Sequence, residues 1–299
     1  MNHLLEISQL SFSEIMMLIQ RAISFKNTLK YPHYPHHPLA HLFYENSTRT
    51  RVSFDLAAQH LGMPVVHFDV RTSSESKGEI IEDTLQTLIA MGIRLVVVRH
   101  AQDGLPAMLA KQCGESACII NAGDGTHAHP SQALLDLMTI MESKPDVSRL
   151  KIAVVGNIRH SRVANSLQSI CAILGVGELV LIAPEIWQPT FLHYGHYTTS
   201  LYEGLSDADV VICLRVQKER LSEGEHLDLG GYHHDYGITN HSLSYAKKDA
   251  MVMHPGPINR GVEMDSDVVS GPQSVIFKQV TNGVFMRMAI LERLIVSRI

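Results

Sequence analysis

Residues 39–51 read Leu39-Ala40-His41-Leu42-Phe43-Tyr44-Glu45-Asn46-Ser47-Thr48-Arg49-Thr50-Arg51, and the helical pattern Val52, Phe54, Leu56, Ala57 follows directly. An apolar run, a polar turn and an amphipathic helix make the strand-to-helix half of a βαβ unit. The turn sets hydroxyls and guanidinium groups at the opening of the helix. There, unsatisfied N–H groups and the positive end of the helix dipole already favour an anion. A glycine-rich cradle would use backbone alone; two threonines and two arginines can also grip a doubly charged phosphate. Ser47 is placed to cap the helix as well.

The same alternation runs through the chain. Ser11-Phe12-Ser13-Glu14 is a capping-box pattern ahead of Ile15, Leu18, Ile19, Ala22 and Ile23, which predicts a first amphipathic helix. Strands are predicted at Leu39–Tyr44, Pro64–Phe68, Leu95–Val98, Ala117–Ile120, Ile152–Val155, Leu179–Ile182, Val210–Leu214 and Met251–Met253. Helices are expected at Thr48–His60, Ile80–Met91, Pro130–Met141, Ser161–Leu174 and Asn282–Val296, among others. The expected fold class is α/β, with two domains, each a mostly parallel sheet flanked by helices.

The break between domains is expected near Glu142-Ser143-Lys144-Pro145-Asp146, where a helix ends and a fresh strand begins. The expected division is 1–144, completed by a C-terminal helix at 281–299, and 145–280. Open parallel sheets bind ligands beyond the carboxyl ends of their strands. Polar clusters fall there: Ser47–Arg51, Arg99-His100, Gly123–Gln132, Asn157–Arg162, Arg215–Gln217 and His254–Pro257. Six such clusters in two sheets predict one active-site cleft between the domains.

Composition narrows the function. Of 299 residues, 45% are hydrophobic and 18% charged, the balance expected of a soluble globular protein, and the length suits two domains. A formal net charge of -5 argues against a nucleic-acid binder, which needs a basic face. Met1–Leu10 lacks the pattern of a signal peptide, and no stretch reaches the roughly 18 apolar residues that span a bilayer. The expectation is a cytoplasmic protein with no membrane partner. Cys113, Cys118, Cys171 and Cys213 sit in or beside apolar runs and form no C-x-x-C pair, so they read as buried free thiols. His33, His36 and His37 lie among Pro32, Pro35 and Pro38, an irregular loop rather than a helix face presenting metal ligands.

With these clusters in order, the chain resembles the catalytic subunits of the aspartate carbamoyltransferase family, within the aspartate/ornithine carbamoyltransferase superfamily. The carrying stretches are Phe43 to Arg51, Ser73-Ser74-Glu75-Ser76-Lys77-Gly78-Glu79, Val98-Arg99-His100, Asn121 to Gly125 with His129-Pro130-Ser131-Gln132, Arg215 to Arg220, and His254-Pro255-Gly256-Pro257. The resemblance implies transfer of a carbamoyl group from carbamoyl phosphate to the α-amino group of L-aspartate, releasing phosphate, in pyrimidine biosynthesis. It implies no metal, no redox cofactor and no covalent intermediate.

By the same resemblance, Ser47, Thr48, Arg49 and Thr50 hold the phosphate, and Arg99 bridges phosphate and carbonyl. Thr50, Arg99 and His129 would meet the carbonyl oxygen as negative charge builds on it. Gln132 and the backbone carbonyls of Gly256 and Pro257 face the carbamoyl amine. Arg162 and Arg215, supported by Gln217, match the family's arginines for the two aspartate carboxylates. Ser73 and Lys77 lie in a loop that in the family reaches the active site of a neighbouring subunit, which implies a homotrimer with shared sites. The loop's composition alone suggests only a mobile lid. A regulatory chain or a dihydroorotase is a further partner known in the family.

Three rival readings fit the residues less well. Ornithine carbamoyltransferases carry a His-Cys-Leu-Pro stretch where this chain has His254-Pro255-Gly256-Pro257, and Arg215-Val216-Gln217 suits an anionic second substrate. A catalytically silent scaffold would be expected to have lost some of these charged positions. A dinucleotide-binding protein needs G-x-G-x-x-G, and Val154-Val155-Gly156-Asn157 lacks that spacing, so Gly156 reads as a tight strand-to-helix turn.

Overall fold

A capping box starts the chain's first long helix. In the computed structural model, which describes residues 1–68, 78–189, 192–217 and 228–297, α1 spans Phe12–Thr28. The Ser11 hydroxyl accepts from the Glu14 amide, and the Glu14 carboxylate accepts from the Ser11 amide. The reciprocal bonds satisfy two donors that would otherwise face water at the helix start.

Beyond α1, strands and helices alternate: β1 (Leu39–Phe43), α2 (Thr48–His60), β2 (Val65–Phe68), α3 (Ile81–Ala90), β3 (Leu95–His100), α4 (Leu105–Cys113), β4 (Cys118–Asp124) and α5 (Pro130–Met141). The four strands are parallel, in the order β2-β1-β3-β4. Ala40, Leu42, Val96, Val98 and Ile119 pack on one face with Leu85, Leu105 and Leu109, all buried. Each Val, Leu and Ile among them contributes about 1.5–3 kcal/mol when fully buried. β1, β3 and β4 are covered on both faces, so they read as largely apolar runs rather than alternating ones, while the edge strand β2 is partly exposed.

A second sheet holds β5 (Lys151–Val155), β6 (Glu178–Ile182), β7 (His196–Thr198), β8 (Val210–Cys213) and β9 (Met251–Met253), all parallel, in the order β7-β6-β5-β8-β9. Its helices are α6 (Arg162–Leu174), α7 (Leu201–Leu205), α8 (Leu229–Tyr236), α9 (Asn240–Leu243) and α10 (Ser266–Val269), and α11 (Ile276–Val296) closes the chain. Val155, Val180, Ile182, Val211, Val252 and Met264 are among the buried side chains of its core.

The chain divides into two compact units, Met1–Met138 with Thr281–Ile299, and Thr139–Val280, so the divisions fall inside α5 and α11. All eight expected strands are present. β7 is the addition: three half-exposed residues at a sheet edge carry too little apolar signal to be read from sequence. The last helix starts at Ile276, ahead of the expected Asn282. All four cysteines are free and buried, as expected. Among the described residues, no helix is long and apolar enough to cross a membrane.

Candidate active site

In an open parallel sheet, helices leaving neighbouring strands in opposite directions open a crevice at the point where strand order reverses. In the first unit that point lies between β1 and β3. Ser47–Thr50 leave β1 there and Arg99 ends β3 beside them, with Phe43 and Arg99 in register and the Tyr44 amide donating to the Arg99 carbonyl at 2.9 Å. The next strand, β4, leads to His129 and Gln132 at the start of α5. Adjacent strand ends thus bring together the three clusters of this half that the sequence singled out.

Ser47 departs from one expectation. It occupies the N-cap position with extended backbone, but its side chain accepts no capping hydrogen bond. The hydroxyl is therefore not consumed by the helix, and the first-turn amides are not satisfied by it, which suits an external anion better than a self-capped helix does. Arg49 is half-buried, and its Nη1 has no hydrogen-bond partner among the described residues. Burial lowers its pKa from the ordinary value, the expected response of a cation kept from water without a counter-charge. Thr50 is buried in the same turn.

Arg99 is held from two sides. Its Nη1 donates to the Ala122 carbonyl at 3.0 Å, and its Nε lies 3.5 Å from a Glu45 carboxylate oxygen. His129 is buried, and its carbonyl accepts from the amides of Gln132 and Ala133 at 3.0 and 3.3 Å, the first bonds of α5. Gln132 is buried, and its Nε2 donates to Asp136 Oδ1 at 2.9 Å. Upstream, Asp124 braces the approach to His129: its carboxylate accepts from the Gly104 and Ala128 amides at 2.9 and 3.0 Å and from Asn121 Nδ2 at 2.8 Å.

The second unit repeats the plan. Its strand order reverses between β5 and β8, and Arg162 follows β5 while Arg215 follows β8. Gly156, at φ +135°, permits this: a Cβ there would stand 2.7 Å from the Leu214 carbonyl oxygen, one residue before Arg215. Arg162 is buried as the first residue of α6, whose cap, Ser161, accepts from the Ala164 amide. Arg215 is half-buried, and the Gln217 Oε1 has no hydrogen-bond partner among the described residues. Gly256 and Pro257 follow β9, on the far side of β8, and the Gly256 amide donates to His254 Nδ1 at 2.8 Å.

Sequence reasoning missed the supports. Glu263, fully buried, accepts from the Val216 amide at 3.4 Å and the Asn259 amide at 2.5 Å and lies 3.4 Å from His254 Nε2. One carboxylate thus ties the loop after β8 to the loop after β9. No local pattern marks it, because its partners lie far away in the chain. Asp136 was legible in principle, one helical turn beyond Gln132. Ser73 and Lys77 lie outside the described residues.

Two parallel α/β units, each with arginines at its switch point, define a class of protein suited to holding anionic small molecules. Residues 2–142 match the carbamoyl-phosphate-binding domain of the aspartate/ornithine carbamoyltransferases, and residues 148–294 match the family's aspartate/ornithine-binding domain. The chain belongs to the aspartate/ornithine carbamoyltransferase family. It is 64% identical over 297 residues to an aspartate carbamoyltransferase catalytic subunit of Legionella pneumophila, covering 99% of this chain and 100% of that protein. To the subunit of the same name from Coxiella burnetii it is 45% identical over 298 residues, covering 97% and 95% of the two chains. Among solved structures, the aspartate transcarbamoylase of Trypanosoma cruzi in complex with carbamoyl aspartate and phosphate superposes with a TM-score of 0.87 at 30% identity, over 97% of this chain and 94% of that one. The ornithine carbamoyltransferase of Pyrococcus furiosus superposes with a TM-score of 0.86 at 27% identity, over 97% and 96%.

Proposed function

We propose that this chain transfers the carbamoyl group of carbamoyl phosphate to the α-amino group of L-aspartate, giving N-carbamoyl-L-aspartate and phosphate, in de novo pyrimidine biosynthesis. The observation that carries the choice of second substrate is the pair of arginines at the β5/β8 switch point, Arg162 and Arg215. A dicarboxylate asks for two guanidinium forks, whereas the cationic side chain of ornithine would be repelled by them.

In this reading, residues 1–144 with 281–299 bind carbamoyl phosphate and residues 145–280 bind aspartate. Ser47, Thr48, Arg49 and Thr50 hold the phosphate at the start of α2. Thr50, Arg99 and His129 donate to the carbonyl oxygen, and their donors favour the charge that grows there as the amine attacks. Gln132 Oε1 and the carbonyls of Gly256 and Pro257 accept from the carbamoyl amine. Arg162 and Arg215, with Gln217, hold the aspartate carboxylates. The deprotonated amine forms the new C–N bond, the C–O bond to phosphate breaks, and the departing phosphate takes the proton. Proximity and fixed dipoles supply the rate enhancement. Ser73 and Lys77 enter from a neighbouring subunit of a homotrimer, the assembly is cytoplasmic, and a regulatory chain or a dihydroorotase is its further partner.

The test is direct. Purified protein given carbamoyl phosphate with L-aspartate should form carbamoyl aspartate and phosphate in equal amounts, and with L-ornithine it should form neither. Citrulline formation, or no product from either amino acid at saturation, overturns the reading. Native mass corresponding to three chains would support the shared site, and a monomer that turns over at full rate would remove Ser73 and Lys77 from it.

A further inference from the structure

One cluster of metal-ligating side chains lies outside the residues assigned to substrate. His41 in β1 and His67 in β2 are register partners on adjacent parallel strands, so their side chains leave the same face of the sheet. α2 covers that face: Phe54 packs edge-on against His41 at 6.3 Å between ring centroids, and Asp55 follows it. Asp55 Oδ1 stands 3.3 Å from His41 Nδ1 and 3.7 Å from His67 Nε2. All three donor atoms lie within 4.8 Å of one another, and among the described residues no other three His, Cys, Asp or Glu side chains meet so closely.

These spacings suit an ion more than a hydrogen-bond network. With metal–ligand bonds of about 2.0–2.1 Å, tetrahedral ligand atoms stand roughly 3.3 Å apart, so two of the three edges need little or no adjustment. The His41 side chain is 1% exposed, yet among the described residues neither ring nitrogen has a hydrogen-bond partner, nor does Asp55 Oδ1. A buried polar group left unsatisfied calls for an explanation, and a bound ion supplies one.

We propose that His41, Asp55 and His67 form a binding site for a divalent transition-metal ion of the Zn2+ type. Two imidazoles and one carboxylate are the borderline donor set such ions take. The His67 side chain is 44% exposed and provides the entry path, with water completing the fourth position. Arg51 Nη2 lies 3.2 Å from His67 Nδ1. In the loaded site that exposed arginine turns out to solvent, and the His67 ring proton sits on Nδ1, leaving Nε2 to the ion. The ion would pin α2 to β1 and β2 a little over one turn beyond Thr50, bracing the helix whose first turn is the phosphate site.

The experiment uses metal-free, full-length protein titrated with Co2+ and followed by its visible d–d absorption, then with competing Zn2+. One Co2+ per chain should bind, Zn2+ should displace it, and Zn2+ should raise the melting temperature. His67→Ala and Asp55→Asn change partly exposed side chains; both should retain the wild-type far-ultraviolet dichroism. Each should lose affinity by more than the roughly 10–100-fold that removing an outer-shell partner costs. Arg51→Gln, which removes a competing positive charge, should bind Co2+ at least as tightly as the parent. Absence of a stoichiometric Co2+ spectrum in the parent overturns the proposal. So does a spectrum that persists unchanged in folded His67→Ala and Asp55→Asn.

Discussion

Gln132 Nε2 donates to Asp136 Oδ1 at 2.9 Å, one turn further along α5. A carboxylate can only accept, so this bond fixes which end of the amide is which and leaves Oε1 as the end able to accept from a carbamoyl amine. Asp136 is fully buried, and its negative charge opposes the fall in the pKa of buried Arg287, which burial nonetheless takes down to about 10. Asp136 thereby decides which end of the Gln132 amide is free to accept.

Asp136→Asn should accordingly lower kcat by about tenfold, the cost of one misoriented hydrogen bond near 1–1.5 kcal/mol, because an Asn can satisfy either orientation of Gln132. Asp136→Ala leaves Arg287 buried without its opposing charge and should reduce stability by about 3–5 kcal/mol. Steady-state kinetics and urea unfolding separate the two effects. A fully active, fully stable Asp136→Asn enzyme would show that the amide needs no such lock.

His129→Ala should lower kcat by about 10²–10³-fold, the usual cost of removing one donor to a developing oxyanion. Arg49→Ala should also all but abolish turnover. Because Arg49 Nη1 has no hydrogen-bond partner among the described residues, that change should leave the melting temperature near the parent's. Near-parental carbamoyl transfer by either variant removes that residue from the mechanism.

Arg162→Ala and Arg215→Ala should each cut kcat/KM for aspartate by about 10–150-fold, equivalent to the 1.5–3 kcal/mol of a charged hydrogen bond. Both residues follow strands of the second sheet, so binding of carbamoyl phosphate alone, measured calorimetrically, should change little. Equal losses for both substrates would argue that these arginines act on the whole fold and not on aspartate.

His127 and Asp124 supply a pH signature. A hydrogen bond to the Asp124 carboxylate is the main cause that raises the His127 pKa above its usual value; burial opposes it. Burial pushes the Asp124 pKa up, but bonds from His127, Asn121 and Gly104 outweigh it and hold the carboxyl below its ordinary range. The histidine's contribution is fully present below its unfolded pKa near 6.5 and is lost as pH rises through the raised folded value. The carboxylate's is present above about 3.9 and is lost as pH falls through the depressed value. The segment leading to His129 should therefore be held most firmly between about pH 4 and 6.5. An NMR titration should place the His127 midpoint above 6.5 and return it toward 6.5 in Asp124→Asn. A parental midpoint at or below the usual value would refute the pairing.

Most of the fold was legible because its signals are local. Continuous apolar runs such as Leu95–Val98 and Ile152–Val155 can lie only in sheets covered on both faces, and Ser11 with Glu14 announces a helix start within four residues. β7 escaped because three half-exposed residues at a sheet edge pack against too little to leave a hydrophobic imprint. The cap role of Ser47 failed for a different reason. Residue type favours capping, but the rotamer depends on what else competes for the hydroxyl.

The candidate site divides along the same line. Sequence by itself determined which chemistries are at hand: hydroxyls and guanidiniums at the α2 start, His129 and Gln132 at the α5 start, and Arg162 and Arg215 after two further strands. Each lies within eight residues after a strand end, and strand ends are readable from hydropathy. Only the tertiary structure decided strand order, and with it that Ser47–Thr50 and Arg99 follow adjacent strands at one switch point and that Arg162 and Arg215 follow adjacent strands at another. It alone revealed Glu263 joining two loops, Asp136 orienting Gln132, and His41 facing His67 across parallel strands. The physical reason is range. Backbone propensity and burial periodicity act over one turn or one strand, whereas a buried charge or an unsatisfied imidazole finds its partner only when distant segments pack together.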